Sequence, residues 1–228
     1  ASMSDFVFTQ YLFDNFDVVW PRVLEHLTIV GLTLSIALII SMPVGLLLSR
    51  KQSIANPVLG VLGVIYTIPS FALFAFLVPI TGIGAQPAII ALVAYSLVVL
   101  VRNTMVGFNG VDRSVIEAAQ GMGMNGRQQL WRIEVPLALP VIVAGMRIAT
   151  LSTIGLTTIA AWIGAGGLGQ LLKDGINNPS KLYAGVIAVG VMAIGADLLF
   201  RLLERQVGVK GTTRSSLMAA NPALPKEA

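Results

Sequence analysis

The sequence predicts an all-α integral membrane protein with about five transmembrane helices. Two observations carry that prediction. Leu27–Ser49 is 23 residues without a charge, and Gln52–Val101 is 50. Of the 228 residues, 55% are hydrophobic and only 11% charged, whereas a soluble domain carries about 25% charged residues. A bilayer core of about 30 Å is crossed by about 20 apolar helical residues, so the first run is one crossing and the second is two. Lipid offers the backbone no hydrogen-bond partner, which leaves helix as the form of each crossing.

In chain order the crossings fall at approximately 25–49, 56–79, 87–108, 136–161 and 182–204. Residues 1–24 mix Phe6, Phe8, Tyr11, Phe13, Phe16 and Trp20 with Asp5, Asp14 and Asp17. Aromatic residues favour the membrane interface, so this part reads as an outer amphipathic segment and not a span. It has no basic stretch leading into a short apolar one, so no cleavable signal peptide is expected. The second and third crossings are parted by the turn Thr81-Gly82-Ile83-Gly84-Ala85-Gln86-Pro87. A polar loop, 112–134, separates the third from the fourth. Residues 207–228 have little apolar periodicity and two prolines, and are expected to be a disordered tail. The organisation is thus an outer segment 1–24, a membrane domain 25–206 and a tail 207–228.

Basic residues set the orientation, because they concentrate on the cytoplasmic side. With the N-terminus outside, the inner segments hold Arg50, Lys51, Arg102, Arg113, Arg127, Arg132, Arg201, Arg205, Lys210, Arg214 and Lys226. The outer segments hold only Arg22, Lys173 and Lys181. The polar loop therefore faces the cytoplasm. The net charge of +4 follows from this bias and calls for no nucleic acid. The absence of cysteine excludes disulfides and thiolate metal sites.

Within the polar loop, Ser114-Val115-Ile116-Glu117 matches a capping box, in which a hydroxyl and a carboxylate three residues apart satisfy each other's backbone donors. Ala118, Ala119 and Met122 continue a small apolar face, and Gly121 and Gly123 permit the backbone to leave the helix. A second short helix, Arg127 to Ile133, is expected to end before Pro136. The spacing Glu117-Ala118-Ala119, then Gly123, Ile133 and Pro136 resembles the cytoplasmic EAA loop of ABC importer permeases. The family's usual leucine before the proline is Val135 here.

The resemblance extends along the chain. Tyr66-Thr67-Ile68-Pro69-Ser70, Ala72-Leu73-Phe74, Gly82-Ile83-Gly84, Val101-Arg102-Asn103-Thr104, Gly121-Met122-Gly123-Met124, Leu139-Pro140-Val141-Ile142 with Ala144-Gly145, and Ile163-Gly164-Ala165-Gly166-Gly167-Leu168-Gly169 are similar to the branch that imports glycine betaine, choline, carnitine and related osmoprotectants. The resemblance implies a multi-pass permease of a bacterial inner membrane that is not itself an enzyme. Its partners would be an ABC ATPase subunit, an extracytoplasmic substrate-binding protein, a second permease copy or homologue, and membrane lipid. ATP and magnesium would be used by the ATPase, with no cofactor bound by this chain. Ser114, Glu117, Ala118, Ala119, Met122, Gly123 and Arg127 would form the coupling loop.

A permanently methylated ammonium cannot donate a hydrogen bond, so aromatic faces are its natural partners. Tyr66, Phe71, Phe74, Phe76 and Tyr95 are available in the second and third spans. Pro69 reads as a tolerated kink or as a bend that shapes a pathway, the latter favoured by hydroxyls beside it that can satisfy the backbone groups a proline frees. Tyr66, Pro69, Ser70, Phe74, Tyr95 and the mid-span Arg147 are therefore the candidate pathway residues. Arg147 and Asp197 are costly in a span unless they pair or face water; Asp197 has two prospective partners, Arg201 one turn on and Arg147 across helices. His26, the one histidine, reads as an amphipathic side chain at the outer interface. Gly190-Val191-Met192-Ala193-Ile194-Gly195-Ala196 reads as a face for close helix packing.

Two Gly-x-Gly-x-x-Gly strings, Gly121 to Gly126 and Gly164 to Gly169, lack the preceding strand that a dinucleotide site needs. No Gly-Lys-Ser/Thr is present, hence no P-loop. The remaining alternatives are a permease for methionine, phosphonate or another small solute, an ion-coupled transporter or channel, and a membrane anchor. Ion-coupled carriers often show internal repeats and span acids; this chain shows no repeat and one clear span acid.

Overall fold

The computed structural model describes residue 11 and residues 14–208, and among them every regular element is helical. In chain order these are α1 (Phe16–Arg50), α2 (Gln52–Thr67), α3 (Ser70–Thr81), α4 (Ala85–Asn109), α5 (Arg113–Gly121) and α6 (Gly126–Gln129). A π turn (Leu130–Glu134) follows, then α7 (Val135–Ala160), a 3-10 turn (Ala161–Ile163), α8 (Gly169–Asp174) and α9 (Pro179–Val207).

Four helices are long and apolar enough to cross a membrane alone: Phe16–Arg50, Ala85–Asn109, Gly126–Ile163 and Pro179–Val207. The second crossing differs from the expected continuous helix. It is broken into α2 and α3, which meet at 93°. Pro69 has no N–H to continue α2, and the residue before a proline is pushed out of helical geometry; Ile68 accordingly sits extended at φ −66°, ψ 128°. The pair still belongs to opposite ends of the bundle. Ala55 of α2 packs with Leu48 and Val101 at one end, while Gly84, just beyond α3, donates to the Ile163 carbonyl (3.0 Å) at the other.

The expected boundary at residue 25 has no counterpart in the helix. α1 runs unbroken from Phe16, so the aromatic residues Phe16 and Trp20, stacked at 5.7 Å, are its first turns. At 1.5 Å per residue its 35 residues reach about 52 Å, longer than a bilayer core. Residues 1–10, 12 and 13 of the proposed outer segment, and the tail beyond 208, lie outside the described residues.

α4 lies between α1 and α7 and packs most extensively on both. Small residues make this possible, since lipid supplies no hydrophobic drive between helices and close backbone approach takes its place. A Cβ on Gly45 of α1 would stand 2.5 Å from Thr104 Cβ of α4, and one on Gly145 of α7 would stand 2.5 Å from Asn103 Cβ. Near one end the core gathers Ile29, Phe74, Ala88, Leu92, Ala160 and Ile163. At the other end Phe108, Ala138 and Ile142 pack together against Met42, Leu46, Leu130 and Val135. Hydroxyls within α7 cost little, because Thr150, Thr153 and Thr157 each donate to a carbonyl one turn back at 2.7 Å.

α9 is the least covered crossing and packs on α7 and α8. The expected close packing at Gly190 and Gly195 does not occur within the protomer: a Cβ there would meet nothing within 4 Å.

Candidate functional site

The loop between α4 and α7 is built by two caps and a corner. Asp112, extended at φ −61°, ψ 129°, accepts a hydrogen bond on Oδ1 from the Ser114 backbone N–H (2.8 Å) and so caps α5. That bond stabilises the charged carboxylate and lowers its pKa below the ordinary aspartate value of 3.8. The expected Ser114–Glu117 capping box is therefore displaced by two residues. Ser114 already lies inside the helix, and Glu117 pairs instead with Arg113 one turn earlier (Nε to Oε1, 3.1 Å). The capping box belongs to the next helix: Asn125 accepts from the Gln128 N–H (2.9 Å) and its own N–H donates to Gln128 Oε1 (3.0 Å).

Between the caps the chain turns at Gly123, whose φ of +78° is left-handed. The Gly123 N–H donates to the Gln120 carbonyl (2.9 Å) and the Met124 N–H to the Ala119 carbonyl (3.1 Å). This is a Schellman closure, which satisfies the carbonyls that a helix end leaves free. The second short helix does not stop before Pro136 as expected. It passes through the π turn into α7, giving one helical run from Gly126 to Ile163, with Pro136 two residues past the π turn.

The nine-residue α5 stands outward on this corner. Ala119 is buried, whereas Ser114, Glu117, Ala118, Gly123 and Arg127 are exposed. Met122 and Trp131 present large apolar surfaces, 70% and 63% exposed. Trp131 was not anticipated from the sequence. A tryptophan two residues before the expected end of a helix reads as interfacial, and only the packing of its π turn against α5 brings it near the corner.

The pathway candidates separate into two groups. Tyr66, Pro69, Ser70 and Tyr95 meet where α2 breaks from α3. Tyr95 is buried, and its hydroxyl donates to the Ile68 carbonyl (2.5 Å) exposed by the break. Its ring meets that of half-exposed Tyr66 edge to face, 5.8 Å between centroids. The space they share with Ser96, Ser152 and Thr153 is only about 10 Å³, room for one water at most, so the tyrosine site is closed within this protomer. Phe74 does not join it. It is fully buried against Ile29, Ala88 and Leu92, a core residue rather than a wall of a passage.

Arg147 is engaged elsewhere as well. Its guanidinium binds Asp197 Oδ1 (2.6 Å) and Glu204 Oε2 (3.4 Å) of α9, while Arg201 Nε binds the other oxygen of Asp197 (2.7 Å). The two prospective partners of Asp197 are thus held together. The network contains two cations and two anions, so it adds no net charge to the bundle.

At the opposite end, the Gly164–Gly169 string wraps α1. Glu25 accepts from the Gly167 N–H (2.9 Å) and pairs with Arg22 (2.8 Å). His26 is fully buried rather than interfacial. The Leu168 N–H donates to its Nδ1 (3.3 Å), which leaves the proton on Nε2, 3.2 Å from the Ile154 carbonyl. The residue that looked amphipathic is a pin between α1, α7 and the glycine loop. Beside it, Pro21, Leu24, Glu25, Thr28, Ile29, Ala85 and Ala165 line an open cavity of about 460 Å³.

Residues 24–209 match the family model described as the inner membrane component of binding-protein-dependent transport systems. The chain is 39% identical over 189 residues to the glycine betaine/carnitine/choline transport system permease protein OpuCB of Bacillus subtilis, covering 82% of this chain and 87% of that one. It is 40% identical over 208 residues to the osmoprotectant import permease protein OsmW of Salmonella typhimurium, covering 88% and 97%. Its fold superposes on a chain of the inward-facing MetNI methionine ABC transporter with a TM-score of 0.77 at 21% identity, over 85% of this chain and 98% of that one.

Proposed function

This chain belongs to the family of binding-protein-dependent transport system inner membrane components, and from that premise we propose that it is the permease subunit of an ATP-driven importer of osmoprotectants. The solute class is a quaternary ammonium compound such as glycine betaine, choline or carnitine, supported by what the relatives at 39% and 40% identity are named for. Family membership over 24–209 favours this over an ion-coupled carrier, a channel or an anchor.

The observation that carries the mechanism is α5: a capped, outward-standing helix joined by a glycine corner to the helical run, from α6 through the π turn, that becomes the fourth crossing. In this reading the N-terminus lies outside, so α5 faces the cytoplasm and seats in a separate ATPase subunit. Ser114, Glu117, Ala118, Met122, Gly123 and Arg127 form the seat, with Trp131 beside them. ATP and magnesium act in that ATPase. A binding protein delivers solute from outside, and a second copy or a homologous permease completes the passage.

ATP binding draws the two α5 helices together. Each α5 moves with its fourth crossing, and the passage reopens toward the other side. Such a shift needs only differential contacts between the two states. Opening also enlarges the tyrosine site. Tyr66 and Tyr95 then offer ring faces to a methylated ammonium, which binds them by cation–π attraction of about 0.5–2 kcal/mol per ring.

The test is reconstitution of this chain with its ATPase and binding protein in liposomes. Glycine betaine, choline or carnitine should stimulate ATP hydrolysis and accumulate inside, and methionine should do neither. Stimulation by methionine alone would replace the solute assignment, and stimulation by none would remove it.

A further inference from the structure

One carboxylate is buried behind the docking face and takes no part in it. Glu134, the last residue of the π turn, is 1% exposed. Its Oε2 receives the Arg50 guanidinium from the end of α1, and its Oε1 accepts from Gln129 Nε2 (2.9 Å). Gln129, 9% exposed, accepts in turn from Gln120 Nε2 of α5 (3.4 Å). Four side chains thus connect α5 to the first crossing. A carboxylate this deeply buried is costly unless its charge is paired, and Arg50, itself half exposed, supplies the pairing charge. Glu134 also lies in a π turn, a helical irregularity found mostly where a helix carries function.

The connection matters because α5 lies far from α1 along the chain. The Gly123 corner parts it from the helical run that enters α7, and its neighbours are α6 and the π turn. We propose that Glu134 is a positioning residue that passes displacement of α5 to α1 through Arg50, so that the first and fourth crossings move together. This rests on the reading of α5 and its glycine corner as the ATPase-docking element. The rival route is apolar, through Met42 and Leu46 of α1 against Leu130 and Val135. That route would carry the motion whether or not Glu134 is charged.

The experiment uses the reconstituted complex with its ATPase and loaded binding protein, and reads three quantities: ATPase co-purified with the chain, basal ATP hydrolysis, and solute transported per ATP. Glu134→Ala should keep the first two and lower the third about tenfold, within the range of ordinary coupling between sites. Arg50→Ala should do the same, and the double variant should be no worse than either single one, as expected for two residues acting as one unit. Gln120→Ala, at the exposed end of the chain of contacts, should lower the ratio less. It also provides the reading if Glu134→Ala fails to insert.

An unchanged ratio in Glu134→Ala would overturn the proposal, as would an unchanged ratio in Gln120→Ala if that variant has to serve alone. Additive losses in the double variant would overturn it too. If the unaltered chain retains no ATPase, the docking reading itself has failed; if it retains the ATPase and the ratio does not move, only the relay has.

Discussion

Two strings with the same Gly-x-Gly-x-x-Gly spacing lie at opposite ends of this molecule and serve opposite ends mechanically. In Gly121–Gly126 one glycine, Gly123, is left-handed, and a Cβ on Gly121, Gly123 or Gly126 would meet nothing within 4 Å. In Gly164–Gly169 the chain is wedged. A Cβ on Gly169 would stand 2.2 Å from the Thr158 carbonyl oxygen, and one on Gly167 would stand 3.1 Å from His26 Nδ1. The first string frees a helix to stand away from the bundle; the second closes a loop onto α1. Identical spacing therefore says little. What differs is the neighbourhood: caps and solvent at one end, a buried histidine and a carboxylate at the other.

The sharpest way to break the contrast is to add a side chain to each string. Gly169→Val drives a branched side chain into backbone that cannot rotate away, so it should cost about 3 kcal/mol or more. The protein should fail to accumulate in the membrane. Gly126→Ala should stay within about 0.5 kcal/mol of the parent, read as an unchanged melting temperature in detergent. Comparable losses from both would erase the distinction. Next in size is His26→Leu, which strands the Leu168 N–H, while the Ile154 carbonyl keeps its partner within α7. An unsatisfied buried group costs about 1–3 kcal/mol, so the melting temperature should fall by several degrees, with the loop 164–169 the first region to gain amide exchange.

The same contrast explains what was legible in the sequence. Span number and the polar loop followed from uninterrupted apolar runs, because a bilayer imposes length and helicity on whatever crosses it. The Gly123 corner was legible because glycine in a polar helix end has few other uses. Contacts between distant segments were not legible. The break at Pro69 could be read as a mere kink, since a proline does not announce an angle of 93°. Asp112 captured the cap from Ser114, because two adjacent polar residues compete for one helix end and register decides. Phe74 and His26 were misplaced for a common reason: an aromatic or imidazole ring in an apolar run carries no label telling lipid from core. Glu134 sat unremarked beside Ile133, although a lone acid at the mouth of a span needs a partner; with Arg127 and Arg132 nearer in the chain, nothing in the spacing selected Arg50.

Smaller in stability but direct in function is the pair that separates the corner from the charge. Gly123→Val puts a β-branched residue at φ +78°, where side chains clash with the backbone at about 1–3 kcal/mol. The Schellman closure should open and α5 should re-aim. Solute-stimulated hydrolysis should fall about tenfold or more, with insertion at parental levels. Glu117 is exposed and pairs only with Arg113, a contact worth little by itself. Glu117→Gln should therefore leave the helix intact and give an intermediate loss in stimulation. Full stimulation in both variants would sever this loop from the ATPase.

The smallest effect tests the cap that fixes where α5 begins. The carboxylate of Asp112 is held below its ordinary pKa of 3.8 by the Ser114 N–H. A lowered folded pKa means that the contribution to stability is fully present above the unfolded value and is lost as pH falls through the folded one. Protection of the Ser114 amide should thus be constant from neutral pH down to about 4 and decline only below 3.8. Asp112→Asn keeps a capping oxygen but has no proton to gain. The ratio of Ser114 exchange in the two proteins, measured at each pH, cancels the intrinsic dependence of exchange on pH. That ratio should be flat above 4 and should rise in the parent below it, while Gly123 and Met124 amides, closed by backbone carbonyls, show no such divergence. A ratio that stays flat to pH 3 would return the cap to Ser114 and Glu117.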